Sequence, residues 1–175
     1  MADGCQYLVF SIGADEHAVP AAHVREIVAF SPLTRIPGMP AWIRGVSNLR
    51  GHVLPVIDLA TRFGGTGAVI GKRTCVVVIE LALEGEPIVL GLLVDAVSRV
   101  IDVVPADIEP APSFGGMLRV DFVRGMVRAG TRYTVLLELD RVFSPDEILD
   151  VAQRRALAAP TRTTGDPPRF VMFED

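Results

Sequence analysis

The residues of this chain that could carry chemistry are scattered rather than grouped. The three histidines, His17, His23 and His52, show none of the paired spacings by which histidines hold a metal ion. No Cys-x-x-Cys motif occurs, and no serine stands in the context of a nucleophile elbow. The glycine-rich residues 64–67 precede no helix and no Lys-Ser/Thr pair, so they indicate a flexible connector rather than a phosphate loop. We therefore predict no enzymatic activity, no metal ion and no cofactor.

One stretch, residues 42–63, offers recognition instead of catalysis. Two strand-like runs, 45–49 and 53–59, flank a bend that contains Arg50 and Gly51. A glycine between two apolar runs supplies the positive φ that a tight turn needs. Because Arg50 stands at the bend, its side chain can leave the sheet and face a partner.

Composition sets the limits within which these residues act. The chain has 175 residues, of which 50% are hydrophobic, so it can bury a real core. Its net charge of −4 argues against general phosphate or nucleic-acid binding. No basic region precedes an apolar run, and the most apolar stretch, 87–94, is far shorter than a membrane span. We expect a cytoplasmic protein in which Cys5 and Cys75 are buried free thiols.

The order of the strand-like runs is repeated along the chain. Residues 42–45 recur 80 positions later as 122–125, whereas Val24 is matched by Val97 at a shift of 73. We interpret the difference as one insertion in the second proline loop, after Pro110. Two copies of a unit of about five strands follow, and short strands with Gly/Pro turns favour a barrel or a sandwich.

The repeat also relates Asp58 to Glu138, and each stands among apolar neighbours on a strand. We predict that Asp58 accepts hydrogen bonds from turn N–H groups and is not a general base. The turn is not repeated, because Gly130 and Thr131 stand where the first copy has Arg50 and Gly51. This asymmetry favours a functional rather than a structural role for the arginine.

A helix is predicted after the second copy. Ser144, Pro145 and Glu147 combine an N-cap, a proline at the first helical position and a capping box, and they predict a helix over 144–159. Residues 160–175 are a polar linker followed by an apolar segment, which we expect to dock on the fold.

Taken together, these motifs resemble those of CheW-type chemotaxis coupling proteins. The resemblance spans roughly residues 5–155. The blocks that carry it are Tyr7-Leu8-Val9-Phe10, Val24-Arg25-Glu26-Ile27, Thr34-Arg35-Ile36-Pro37, Ile43-Arg44-Gly45-Val46-Ser47-Asn48-Leu49-Arg50-Gly51, Leu54-Pro55-Val56-Ile57-Asp58-Leu59, Gly91-Leu92-Leu93-Val94-Asp95-Ala96-Val97 and Ile108-Glu109-Pro110-Ala111-Pro112.

The resemblance implies an all-β fold of two SH3-like five-stranded β-barrels side by side, followed by a short C-terminal helix. It places one CheW-like domain over 5–155, with a first barrel over 5–65, a second over 72–143, and strand exchange between them left open. It also implies a non-catalytic adaptor that joins the cytoplasmic tip of chemoreceptors to the regulatory domain of the histidine kinase CheA. Other coupling proteins are further partners, in arrays at the inner face of the membrane, without membrane insertion or nucleic-acid binding.

The implied sites follow position by position. The receptor-binding residues are Val24, Glu26, Ile27, Arg50 and Val97. The turn-shaping residues are Gly45 and Gly51. The residues that face the kinase or a neighbour in the ring are Thr74, Cys75 and Phe114. Glu109 departs from the family pattern, in which a basic residue is common.

Two alternatives stay open at this point. Without the resemblance, Val24, Ile27 and Val97 are better explained as core residues, whereas Arg50 is equally well explained as a solvated turn arginine. The alternative function is an SH3-like peptide- or RNA-binding module without a chemotaxis role. The acidic balance and the few aromatic residues count against RNA.

Overall fold

The computed structural model describes residues 4–83, 85–111, 122–143 and 146–147. These residues form ten strands: β1 (Cys5–Ile12), β2 (Asp15–Pro20), β3 (Val24–Ala29), β4 (Ile43–Leu49), β5 (His52–Asp58), β6 (Cys75–Leu83), β7 (Glu86–Val94), β8 (Ala96–Val103), β9 (Val123–Ala129) and β10 (Arg132–Leu137). Single-turn α-helices follow β5 and β10, namely α1 (Leu59–Arg62) and α2 (Leu139–Val142), and short 3-10 turns span Ala21–His23 and Pro105–Asp107. No helix in the described part of the chain is long and apolar enough to cross a membrane.

The strands form two five-stranded sheets, which confirms the all-β prediction. Sheet A has the order β8-β1-β2-β10-β9, and sheet B has the order β3-β6-β7-β5-β4. Neighbouring strands are antiparallel except for the pairs β2–β10 and β5–β7, which are parallel. Phe114, most of the predicted helix 144–159 and the tail 160–175 lie outside the described residues.

The two sheets do not coincide with the two sequence ranges predicted for the barrels. Sheet B is built from the continuous segment that runs from β3 to β7, whereas sheet A combines β1 and β2 with β8, β9 and β10. The ranges 5–65 and 72–143 therefore do not each form one sheet. The physical reason is that β1 pairs with β8, and β2 with β10, across long stretches of intervening chain.

Register shows that the sheets are two copies of one design. Val24 in β3 pairs with Ile79, and its counterpart Val97 in β8 pairs with Phe10. A register shift follows each valine, so both edge strands carry a bulge at the same place. This agreement supports the shift of 73 found in the sequence.

The chain beyond each edge strand reaches the opposite edge of its sheet. Thr34 forms an isolated bridge with Val46 in β4, and Glu109 forms the corresponding bridge with Met126 in β9. Both bridges bring the edges of a sheet together, as a small barrel requires. Thr34 and Glu109 are 75 positions apart, a shift between the 73 found before the second proline loop and the 80 found after it. The extra residues of the second copy therefore lie on both sides of the bridge and not in one insertion after Pro110.

Gly45 makes room for this crossing and does not shape the turn, contrary to expectation. It lies inside β4, where a Cβ atom would stand 2.8 Å from the Thr34 carbonyl oxygen and 2.9 Å from the Leu33 Cβ. Gly125 has the same role in β9, where a Cβ would meet Ile108 and would lie 2.9 Å from the Glu109 carbonyl oxygen. Of the two glycines predicted to shape the turn, only Gly51 is part of it.

The core lies both inside and between the sheets, because side chains alternate along each strand. In β1, Tyr7 and Val9 face the interior of sheet A, while Leu8 and Phe10 belong to a larger cluster shared by both sheets. Strand β6 divides its valines and isoleucine in the same way between the interior of sheet B and the shared cluster. The sheets are thus joined by a common core.

Four aromatic residues and Arg62 pack together where α1 meets α2. Trp42 contacts Phe143 and Phe63 contacts Phe122, with ring centroids 6.2 and 6.0 Å apart. The shift of 80 relates Trp42 to Phe122 and Phe63 to Phe143, so the two pairs are counterparts. Each pair combines one residue of the first copy with one of the second. Arg62 lies between Trp42 and Phe122, 4.8 and 5.1 Å from their ring centroids.

The guanidinium of Arg62 also bonds to the second copy directly. Its Nε and Nη2 donate to the Val142 carbonyl oxygen at 3.0 and 2.9 Å, and Nη2 lies 2.7 Å from Glu147 Oε2. Val142 is the counterpart of Arg62 at the shift of 80. One arginine therefore ties the two copies together, and its own counterpart is apolar.

Candidate functional site

Arg50 occupies the first position of a two-residue turn between β4 and β5. Leu49 pairs with His52 across the turn, and Arg50 and Gly51 have φ angles of 52° and 83°. Two positive φ angles are what a type I′ turn requires. The Gly51 N–H donates to Asn48 Oδ1 at 2.9 Å, which fixes the turn from the side of the strand. Among the described residues, Arg50 is the only non-glycine with a positive φ.

The second copy fills the same position with the residue that the backbone prefers. Ala129 pairs with Arg132 across the turn between β9 and β10, and Gly130 has a φ of 63° at its first position. The left-handed region costs an L-residue roughly 1–2 kcal/mol, a cost that glycine avoids. Strain that persists at one of two equivalent turns points to a function for the side chain.

Arg50 reaches the opposite edge of sheet B and meets Glu26 there. Its Nη2 lies 2.8 Å from Glu26 Oε2, with the two side chains 60% and 20% exposed. Both predicted charged residues of the receptor site are thus brought together. An exposed ion pair contributes only about 0–1 kcal/mol to stability, so holding the fold together does not explain it.

The apolar residues predicted for the receptor site lie on the edge strands β3 and β8. Val24, Ile27 and Val97 are half-buried, because each contacts the cluster shared by the sheets and leaves part of its side chain at the surface. Val100 is 53% exposed and was not among the predicted site residues. The shift of 73 relates Val100 to Ile27.

The counterpart of Glu26 carries the opposite charge. Arg99 stands at that position in β8, and its guanidinium donates to both carboxylate oxygens of Glu16, at 3.0 and 3.2 Å. Glu16 also accepts a hydrogen bond from the Thr134 hydroxyl at 3.1 Å. The hydrogen bonds from Arg99 lower the pKa of the Glu16 carboxyl. Each edge therefore carries an Arg–Glu ion pair, with the acid on edge strand β3 and the base on edge strand β8.

Asp58 is a buried structural acceptor, as predicted. Its carboxylate accepts hydrogen bonds from the backbone N–H groups of Ala68 and Thr61, at 3.0 and 3.4 Å. Arg44 Nη1 donates to it at 3.0 Å. Asp58 is therefore hydrogen-bonded to the start of α1 and to the linker that follows.

Thr74 and Cys75, which were predicted to face the kinase or a neighbour in the ring, are buried in this chain. They are 3% and 1% exposed, because the chain enters the interior at the start of β6. Thr74 Oγ1 accepts a hydrogen bond from the Gly71 N–H at 2.7 Å, and Cys75 lies in the cluster shared by the sheets. Burial raises the pKa of the Cys75 thiol to about 11, so it stays protonated at neutral pH. Cys5 is exposed, which contradicts the expectation of a buried thiol.

His17 and His23 make unrelated contacts. His17 lies between the rings of Phe10 and Phe63, with centroids 6.3 and 5.4 Å away, and its buried Nδ1 has no hydrogen-bond partner in the described part of the chain. His23 Nδ1 lies 3.2 Å from the Glu80 carbonyl oxygen. Burial lowers the pKa of His17. Within the described ranges, no three histidine, cysteine or acidic side chains are grouped as metal ligands.

Known proteins share both this sequence pattern and this fold. The CheW-like domain family matches residues 6–147. The chain is 39% identical to a probable chemotaxis protein CheW of Rhizobium etli over 142 residues, covering 81% of this chain and 89% of that protein. It is 32% identical to the chemotaxis protein CheW of Klebsiella aerogenes over 145 residues, covering 83% and 85% of the two chains.

A solved structure gives the same result. The crystal structure of the scaffolding protein TtCheW from Thermoanaerobacter tengcongensis superimposes with a TM-score of 0.71 at 29% sequence identity, covering 84% of this chain and 92% of that one. Two five-stranded sheets, a charged turn and matching sequences over most of the chain lead to one assignment. The chain belongs to the CheW family and is a chemotaxis coupling adaptor.

Proposed function

We propose that this adaptor joins the cytoplasmic tip of chemoreceptors to the regulatory domain of a CheA-type histidine kinase, without catalysis of its own. The observation that carries the receptor half is Arg50, held at a φ of 52° and paired with Glu26 beside half-buried valines. A strained arginine at an exposed turn is explained by a partner that binds it. The complex forms at the inner face of the membrane, where receptor tips and kinase meet in arrays.

The receptor tip is a hairpin of amphipathic helices, and the site suits such a ligand. Val24, Ile27, Val97 and Val100 offer apolar surface to one face of a helix. Arg50 and Glu26 offer one charge of each sign beside that surface, and these charges fix the register of the helix through complementary contacts.

The substitution Arg50→Glu tests this assignment in the full chain. It places a second carboxylate beside Glu26, so we expect the affinity for a purified receptor-tip fragment to fall about tenfold or more. Binding of the kinase regulatory domain and the circular dichroism spectrum should stay unchanged. A matched control is Arg128→Glu, which makes the same charge change at an exposed arginine of the second copy.

A folded Arg50→Glu protein that keeps full receptor affinity would contradict the receptor site. If the unaltered protein binds neither the receptor tip nor the kinase regulatory domain, the coupling of these two partners is wrong. The family matches support the coupling adaptor, and no observation favours the alternative of a peptide- or RNA-binding module.

A further inference from the structure

The linker between α1 and β6 is attached to the fold at two points. The Ala68 N–H donates to Asp58 at 3.0 Å, and the Ala68 carbonyl oxygen accepts from Arg44 Nη1 at 2.7 Å. The Gly71 N–H donates to Thr74 Oγ1 at 2.7 Å. The two residues between these attachments are therefore held in a defined place on the surface.

These two residues are apolar and exposed. Val69 is 85% exposed and Ile70 is 40% exposed. Both are β-branched, so they have few rotamers to lose when another segment packs on them. Val69 also lines an open cavity of about 780 Å³, together with Ile36, Pro37 and Met39 of the first proline loop. Apolar side chains that project beside a cavity mark a surface for a further contact.

The charges beside this pair are positive. Arg35 lines the same cavity, and Lys72 and Arg73 follow Ile70 after one glycine. All three are exposed, and none forms an ion pair with another described residue. We call the residues that combine both features, Val69, Ile70, Lys72 and Arg73, the linker ridge.

The other exposed large apolar side chains, Val100 and Tyr133, stand beside arginines that are already engaged. Arg99 precedes Val100 and is paired with a glutamate. Arg128 lies over the ring of Tyr133 and is paired with another glutamate, and Arg132 donates to a backbone carbonyl oxygen. Within the described ranges, exposed apolar surface therefore coincides with unengaged cations at the linker ridge.

The last residues of the sequence carry the complementary chemistry. Residues 170–173 are Phe-Val-Met-Phe, and Glu174 and Asp175 follow them. Phenylalanine side chains bury large apolar areas, and carboxylates pair with lysine and arginine. This acidic segment, residues 170–175, thus matches an apolar pair followed by two cations. It lies outside the described residues, so the match is one of sequence.

The last described residue lies near the cavity. Glu147 Oε2 lies 2.7 Å from Nη2 of Arg62, the last residue of α1. Thr61, its neighbour in α1, lines the cavity. Pro160 and Pro167 rule out one continuous helix between Glu147 and the acidic segment, so the chain can turn back towards the cavity.

We propose that the acidic segment folds back onto the linker ridge. Its apolar run packs on Val69, on Ile70 and into the cavity beside them, and its two carboxylates pair with Lys72 and Arg73. The contact covers this surface in the unbound adaptor. It goes beyond the proposed coupling function and does not rest on it.

Tethering selects this occupant over separate acidic molecules. A segment joined to its site through residues 148–169 is present at an effective concentration on the order of millimolar, so a weak contact is enough to keep it docked. Charge selects it over a second copy of the ridge, because a symmetric contact would bring like cations face to face.

Nuclear magnetic resonance of the full chain tests the contact directly. We expect the Val69 methyl groups to show nuclear Overhauser effects to a phenylalanine ring, and Phe170→Ser/Phe173→Ser should remove them. We expect the amides of residues 170–173 to exchange with solvent roughly tenfold more slowly than in a free peptide of the same sequence. Val69→Ser/Ile70→Ser should return these rates to those of the peptide.

The matched control is Val100→Ser, which removes an exposed valine of β8 and should leave both measurements unchanged. Urea denaturation of every variant checks that the fold is kept.

The charges are tested by exchanging them. Glu174→Lys/Asp175→Lys should abolish most of the slow exchange of the acidic segment, because like charges then meet. Adding Lys72→Glu/Arg73→Glu to the same protein brings opposite signs together again and should restore the slow exchange. A loss that the second pair of substitutions does not reverse would contradict the proposal.

Three further results would overturn it. The first is an unaltered protein in which Val69 contacts no phenylalanine ring and residues 170–173 exchange as fast as the free peptide. The second is release of the acidic segment by Val100→Ser and not by Val69→Ser/Ile70→Ser, which would place the segment at the receptor site. The third is slow exchange that disappears on dilution together with a dimer in sedimentation, which would place the segment on a second copy.

Discussion

The turns at the tips of the two copies hold equivalent places in the fold and differ in what they present. The first copy has Arg50 and Gly51, with φ angles of 52° and 83°, and the second has Gly130 at 63° followed by Thr131. Both turns close a hairpin, so the fold needs a left-handed residue at the first position but does not need an arginine there. This difference is the reason for proposing that a partner, and not the fold, accounts for Arg50 in this conformation.

Equivalent positions of the two copies also differ inside the protein. Arg62 bonds to the backbone of its own counterpart, Val142, and so joins the copies through an asymmetric contact. His17 in β2 corresponds to Leu90 in β7, since β2 and β7 stand in the same register against β10 and β5. Each of these differences can be removed by giving one copy the residue of the other.

Replacing Arg62 with valine makes the two copies alike and should have the largest effect on stability. It leaves the Val142 carbonyl without its donors and opens space between Trp42 and Phe122. We expect the free energy of unfolding, measured by urea denaturation, to fall by about 2–3 kcal/mol. Arg141→Val, at an exposed arginine of α2, is the control and should change stability little. A stable Arg62→Val protein would show that the aromatic pairs join the copies without the arginine.

Replacing His17 with leucine should change how stability depends on pH. Burial lowers the pKa of His17, so the unfolded chain takes up a proton at a higher pH than the folded one. The stability from neutral His17 is complete above about pH 6.5 and is lost as the pH falls from there towards the lower folded pKa. We expect the profile of His17→Leu to be flatter in this window, with a difference of at most about 1.4 kcal/mol per pH unit. Parallel profiles would mean that another group causes the acid sensitivity.

Replacing Arg50 with glycine gives the first turn the residue of the second and should have the smallest effect on stability. Relief of the left-handed strain and loss of the exposed ion pair with Glu26 act in opposite directions. We therefore expect the free energy of unfolding to rise by no more than about 1 kcal/mol, while receptor-tip affinity falls. Gly130→Arg is the reciprocal variant and should be destabilised without gaining affinity. A clear loss of stability in Arg50→Gly would make the arginine structural after all.

The local parts of the fold follow from the sequence, and the long-range pairing does not. Gly/Pro turns and alternating apolar residues located the strands and the duplication, because these signals act over a few residues. The exchange of β1 and β2 into sheet A depends on pairs such as β1–β8, which lie far apart in the chain. A repeat shows that two strands are equivalent, but it does not show which copy supplies the neighbour of each.

The candidate site could be predicted where residue type and turn chemistry agree. Arg50 was singled out because it stands beside Gly51 at a bend and has no counterpart in the second copy. The burial of Thr74 could not be predicted, because an equivalent position in a family does not reveal whether a side chain is buried here. Residues 64–67 were predicted to be a flexible connector, whereas the N–H groups of Gly64 and Gly65 donate to the carbonyl oxygens of Thr61 and Ala60 at the end of α1.

The placement of sheet B within the chain also sets the order in which the protein can form during synthesis. All strands of sheet B lie between Val24 and Val94, so they can pair as soon as that segment has left the ribosome. The hairpin of β1 and β2 is made before sheet B, yet its partners β8 and β10 emerge after sheet B. Until then its apolar faces are without those neighbours. The first strands to be translated are therefore among the last to reach their final places.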